Sequence, residues 1–330
     1  DALEEFEEET ISPEEPETLP SQVPEEQETT AVFVEEEAET PPQQTFVPEN
    51  LSAVDQQVRG ALVNILCLAS GSSPIGSISG SGIIIDPSGT ILTNAHIAQV
   101  FLLRDYPSEG SIECIGRTGS PAKDQYTLEL AYISPDWVIE NAEAIASNNP
   151  TGTGESDFAL LRISGATEFG TLPETFPFVS VSFSEPQKGQ SVISAGYPAS
   201  FLEAEAIRRN LNLISVAGLI EDVFTFARTT VDVLSLGGIV LAQQGASGGA
   251  VVDLQGKLVG LIVTSSLEPT TRERDLRAIS TAHIARNFST QHNASFAQYA
   301  FGNIIPEEND FKENIAPILR NVLLSSLDIE

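Results

Sequence analysis

Apolar residues in this chain come in short runs, and the runs fall into two series. Stretches near 61–68, 81–86, 90–93, 111–116, 126–133 and 158–163 are rich in Ile, Val and Leu and are separated by Gly, Pro, Ser and Asp, the pattern of buried β-strands joined by turns. A polar break at 165–177 precedes a second series near 178–183, 190–196, 212–222, 228–235, 239–243, 249–253 and 257–265. Two hairpins are explicit. Gly80–Ile85 stops at Asp86-Pro87-Ser88-Gly89 and resumes at Thr90–Thr93, and Val251–Asp253 turns through Leu254-Gln255-Gly256 into Lys257–Val263. Helical spacing is confined to the margins. Ser52 caps a short helix through Val58, another is expected over Thr281–Phe288, and Phe311, Ile315, Ile318, Leu319 and Val322 recur at helical period near the C-terminus, where Pro317 either kinks that helix or starts a new one. The 134–156 connection reads as a long loop. The class predicted is all-β with a C-terminal helix.

Residues 1–50 depart from this pattern. They hold 17 of the 47 acidic residues and no Lys or Arg, together with seven prolines, so self-repulsion and the lack of an apolar period predict a disordered, extended tail or stalk. The domain organisation expected is that tail at 1–50, a folded domain at 51–300 and a helical segment at 301–330, and the folded domain divides into halves at about 51–164 and 177–280. A formal net charge of −31 argues against nucleic acid and against direct binding to anionic lipid. No stretch is long and apolar enough to insert in a membrane. The chain contains no Met, so Asp1 is expected to follow a removed signal or anchor segment. Cys67 and Cys114 stand in strand-like runs of the first series, and both a disulfide and two buried thiols fit them. No His, Cys or carboxylate spacing suits a metal and no Gly-rich loop suits a phosphate, so no cofactor is expected.

Three segments carry chemistry in a fixed order: Thr93-Asn94-Ala95-His96-Ile97, Ser156-Asp157-Phe158-Ala159-Leu160-Leu161 and Gly245-Ala246-Ser247-Gly248-Gly249-Ala250. They offer a base, a carboxylate to orient it, and a nucleophile. A serine hydroxyl attacks a carbonyl only when a neutral imidazole takes its proton, and the imidazole works best when a carboxylate fixes its tautomer. Around Ser247 the glycines leave the backbone open, so that the amides of Gly245 and Ser247 can converge on one oxygen.

With these motifs the chain resembles the trypsin-like serine peptidases, and among them the HtrA (Deg) type, which writes GSGFII…TNxHV, DLALL and GNSGGP where this sequence has GSGIII…TNAHI, DFALL and GASGGA. The resemblance covers about residues 53–290. It implies two six-stranded antiparallel β-barrels of the chymotrypsin type, with His96 and Asp157 on the first and Ser247 on the second. It also implies His96 as general base, Asp157 as its orienting carboxylate, Ser247 as nucleophile, and an oxyanion hole from the amides of Gly245 and Ser247. Two residues depart from the family pattern. Ala246 replaces the usual Asn or Asp and so cannot pair with an inserted N-terminal ammonium, and Ala250 replaces the usual Pro. The residues after the barrels are too few for the PDZ domain that HtrA proteins often append.

The pocket expected for the substrate side chain is formed by Leu241, Gln244, Val263, Thr264 and Ser265. None of these is charged, which favours an apolar P1 residue. The resulting expectation is an extracytoplasmic serine endopeptidase acting on proteins or peptides through an acyl-enzyme, tethered upstream or secreted, with oligomerisation open. The alternative is a protease-fold binding or scaffold protein whose site is not assembled.

Overall fold

In a computed structural model, which describes residues 50–327 apart from 72, 74, 147–153, 201, 227–228, 266–267, 293 and 302–304, the chain begins with helix α1 (Leu51–Ala61) and enters strand β1 (Leu62–Ala69) without a break. Strands β2 (Ile78–Ile84) and β3 (Thr90–Thr93) form the expected hairpin. Its turn is set by Asp86, whose Oδ1 accepts from the N–H groups of Ser88 and Thr90 at 3.1 and 3.0 Å, while Gly89 adopts φ +94°. Helix α2 (Ala95–Ala98) follows directly, and a 3₁₀ turn then leads to β4 (Ile112–Thr118), β5 (Lys123–Ile133), helix α3 (Pro135–Asn141) and β6 (Ala159–Ala166). The order β1-β2-β3-β6-β5-β4 closes into a barrel. All six strands lie where the apolar runs stand. The 134–156 stretch differs from its expectation, because Ser134 accepts from the N–H of Trp137 and starts α3, which buries Trp137 and Val138.

The second half contains β7 (Ser191–Gly196), helix α4 (Ala204–Asn210), β8 (Ile214–Leu219), β9 (Asp222–Phe224), β10 (Val233–Ser235), β11 (Ala250–Asp253), β12 (Leu258–Ser265) and β13 (Leu276–Ser280). Seven antiparallel strands in the order β8-β7-β11-β12-β13-β10-β9 make a curled sheet, the half-barrel counterpart of the first module, and the pair has the chymotrypsin-type architecture. Two expected runs are not strands: 178–183 contributes only a single bridge, Val181 to Leu258, and 239–243 is a turn. Strand β13 and helix α4 lie where the sequence pattern suggests neither.

Helix α4 is held from the first barrel. Arg117 of β4 is fully buried, donating from Nε and Nη2 to Asn64 Oδ1 and from Nη1 to the carbonyls of Ile207 and Arg208 at 3.0 and 2.9 Å. Those carbonyls lie in the last turn of α4, where helix geometry leaves acceptors open. Desolvation lowers the pKa of this guanidinium, with Asp124 and Tyr197 opposing. Cys67 and Cys114, directly paired in the β1–β4 register, form a disulfide, which settles the pairing that the sequence leaves open.

After β13 the chain forms α5 (Thr281–Gln291), α6 (Phe296–Phe301), α7 (Ile305–Asp310), a wide turn at Phe311–Ile315 and α8 (Ala316–Ser326), so Pro317 begins a new helix in the first turn, where its missing N–H is not needed. This C-terminal segment closes an aromatic cluster on the first barrel. The ring of Tyr132 lies 5.1–6.0 Å from those of Phe158, Phe288, His292, Tyr299 and Phe311. The acidic tail at 1–49 lies outside the described residues.

Candidate active site

Register brings the first two segments together. Thr93, the last residue of β3, pairs with Ala159, the first of β6, so the residues just after the one and just before the other are neighbours. There His96 Nδ1 lies 2.7 Å from Asp157 Oδ2, and the His96 amide donates to Asp157 Oδ1 at 2.9 Å. Asn94 Nδ2 holds the Asp157 carbonyl at 2.9 Å. The Asp157 side chain is 5% exposed and that of His96 16%, so the carboxylate is shielded while the imidazole reaches the surface.

The third segment is a loop that tolerates almost no side chain. A Cβ at Gly248, where φ is +82°, would lie 1.9 Å from the Ser81 carbonyl oxygen, and one at Gly245, where φ is +89°, would lie 2.6 Å from that of Tyr197. The carbonyls from Gln244 to Ser247 are each bonded. Gln244 O accepts from Ala199 N at 2.8 Å, Gly245 O from Ser81 Oγ at 2.7 Å, Ala246 O from Gly249 N at 2.8 Å, and Ser247 O from Ser81 N at 2.8 Å. Peptide planarity turns each N–H away from the carbonyl before it, so the Gly245 N–H points opposite the bond to Ala199. Among the described residues neither the Gly245 nor the Ser247 amide has a protein acceptor. Two free donors flanking a serine can stabilise negative charge on an oxygen placed between them.

The Ser247 hydroxyl donates to the carbonyl of Val263 at 3.1 Å, not to His96. Val263 sits at a bulge in β12, where the register with β13 steps from Ile262 to Thr264. Of the other predicted pocket residues, Leu241 is buried in the core of the second sheet beside Ala246 and Val251, and Gln244 is exposed, with its backbone N–H on Ser200 Oγ. The side chains of Thr264 and Ser265 lie outside the described residues. A cavity of about 250 Å³ between β1, β4 and α4, lined by Leu66, Ile115, Glu205 and Arg209 among others, includes none of the predicted site residues.

Ser81 is the residue the sequence reading passes over. From β2 of the first barrel its hydroxyl accepts from Tyr197 N at 2.9 Å and donates to Gly245 O, while its backbone N–H holds Ser247 O. One residue thus fixes the loop on both sides of the serine. The signal available was a small hydroxyl residue between two glycines in an otherwise β-branched strand.

No curated protein sequence matches the chain. Among solved structures it is similar to the Rv3671c protease from M. tuberculosis in its active form, at 18% identity over 72% of this chain and 82% of that one, with a TM-score of 0.44. It is also similar to the serine endoprotease from Yersinia pestis, at 21% identity over 74% of this chain and 65% of that one, with a TM-score of 0.45. A sequence model of the trypsin-like peptidase domain matches residues 80–261, more than half of the chain and inclusive of all three chemical segments. On that match, the chain belongs to the trypsin-like peptidase family and is a serine endopeptidase.

Proposed function

We propose that His96, Asp157 and Ser247 carry out peptide-bond hydrolysis through an acyl-enzyme. The observation that carries this reading is the pair of bonds from His96 to Asp157, Nδ1 to Oδ2 and main-chain N–H to Oδ1, which leaves Nε2 as the basic nitrogen. Ser247 Oγ leaves the Val263 carbonyl, gives its proton to His96 Nε2 and bonds to the substrate carbonyl carbon. The carbonyl oxygen takes up the negative charge between the Gly245 and Ser247 amides. Asp157 steadies the imidazolium, which then protonates the leaving amine. Water, deprotonated by the same nitrogen, releases the acid product and restores Ser247.

The uncharged sequence Val263-Thr264-Ser265-Ser266 favours a small to medium apolar P1 side chain, whose burial is worth about 1.5–3 kcal/mol. The Cys67–Cys114 disulfide supports an oxidising, extracytoplasmic setting, and among the described residues no helix is long and apolar enough to cross a membrane. The HtrA-like motifs are consistent with that placement.

Labelling by a fluorophosphonate probe tests the site. Labelling that disappears in both Ser247→Ala and His96→Ala is expected. The bond from Ser247 to Val263 favours a second reading, a binding protein of protease fold, and absence of labelling in the presence of cleavable peptides would select it.

A further inference from the structure

A second histidine stands behind the first site. His283, on the opening turn of α5, has a side chain only 8% exposed and lies between two acceptors. Its Nδ1 is 3.1 Å from Asp232 Oδ1 and its Nε2 is 2.7 Å from the main-chain carbonyl of Glu155. A neutral imidazole has one N–H and can satisfy only one of them; the imidazolium satisfies both. Glu155 is two residues from Asp157. One helical turn further along α5, Asn287 Nδ2 donates to Ser156 Oγ at 3.1 Å. Positions 283 and 287 share one face of the helix, so α5 grips the 154–157 loop at two successive residues.

We propose that His283, doubly protonated, is a positioning residue that holds the Asp157 loop in register with His96. This rests on the assignment of Asp157 and His96 above. Asp232, from the turn between β9 and β10, favours the charge and is itself fixed through Oδ2 by Thr225 Oγ1, Phe226 N and Thr230 Oγ1. Arg286 shares Asp232 Oδ1 at 2.7 Å and, with the positive end of α5, opposes the charge, while Glu185 occupies the other arm of that arginine. The Phe226 ring packs 5.1 Å from the imidazole and the Glu155 side chain is exposed.

Two measurements test this. In protein labelled with ¹⁵N-histidine, a long-range ¹H–¹⁵N spectrum at neutral pH is expected to show one histidine with both ring nitrogens protonated, whose signals vanish in His283→Gln. In steady-state kinetics, His283→Gln is expected to lower kcat by about tenfold to a hundredfold with KM unchanged. A neutral single tautomer at His283, or a kcat that His283→Gln leaves unchanged, overturns the proposal. Should His283→Gln fail to fold, the signals are assigned by elimination, since they are expected to persist in both His96→Ala and His292→Gln. Failure of the catalytic assignment would show separately, as fluorophosphonate labelling that survives His96→Ala.

Discussion

The hydroxyl of Ser247 rests on the main-chain carbonyl of Val263, 3.1 Å away, while the imidazole that would activate it is already locked to Asp157. In the proposed mechanism, base and carboxylate are therefore already bonded to each other, and Ser247 must give up its bond to Val263 before it attacks. A structure of a peptide boronate adduct is expected to show Ser247 Oγ bonded to boron and the Val263 carbonyl released.

The carboxylate's part can be measured separately. Asp157→Asn keeps the shape but offers an amide where His96 needs an acceptor, so kcat is expected to fall by about 10⁴ with little change in KM. A fall below tenfold would remove Asp157 from the mechanism.

Ser81→Ala takes away one donor to Gly245 O and one acceptor for Tyr197 N, both buried. Each lost buried partner costs about 1–3 kcal/mol, so the denaturant midpoint should drop. The Gly245 carbonyl then has nothing to hold it. We expect kcat to fall more than tenfold and boronate affinity with it, the affinity loss marking the effect as one on the oxyanion site.

Glu308 is 1% exposed, with Arg162 Nε 2.7 Å from Oε2 and Lys312 Nζ 2.6 Å from Oε1. Removing the carboxylate deprives the partly buried Arg162 guanidinium of its direct partner and leaves it only the more distant Glu129. Glu308→Gln is expected to destabilise the fold by about 3–5 kcal/mol in equilibrium denaturation.

The same cluster makes the C-terminal segment sensitive to pH. The hydrogen bond from Lys312 holds the Glu129 carboxyl below its ordinary range, outweighing desolvation. Desolvation works against the Lys312 charge, yet Glu129 and Glu308 together raise it above the ordinary lysine value. Glu129 thus contributes stability above the ordinary carboxylate range that is lost as pH falls through its depressed value. Lys312 contributes stability below the ordinary lysine range that is lost as pH rises through its raised value. Protection of the α8 amides against hydrogen exchange, corrected for the intrinsic pH dependence of exchange, should fall in acid, and Glu129→Gln should remove that contribution to the acid response.

Replacing both Cys67 and Cys114 by Ala opens a loop with a sequence separation of 47 residues. Loop-closure entropy puts the expected loss of stability at about 4 kcal/mol, readable as a lower denaturant midpoint.

The strands of the first barrel were legible because each is a β-branched run bounded by turn residues, and Asp86 and Gly89 act locally. Strand β13 was not. Leu276–Ser280 contains Arg277, exposed at the sheet surface, and its run is too short to stand out before the helix begins. Helix α4 buries none of its own residues and is held by carbonyl contacts to Arg117, an anchor 90 positions away from Ile207, and no local period records such a contact. In the site, the motif order leads to the pairing of His96 with Asp157, whereas the bond from Ser247 to Val263 has no mark in the motifs. Ser81 and His283 were not legible, since each acts through main-chain atoms of a distant segment.

The match to the peptidase family ends at residue 261, but the hydrophobic interior does not. Phe158, next to Asp157, packs on Tyr132 and Phe296, and the covering continues through Phe311 to Leu319 and Leu323, all buried. A version of this protein cut at the end of the recognisable peptidase region would lose the end of β12, all of β13 and the helices from α5 onward, uncovering aromatic surface beside its own carboxylate. The smallest self-sufficient enzyme in this chain therefore extends some sixty residues past the point where sequence likeness stops, to Leu323 at least.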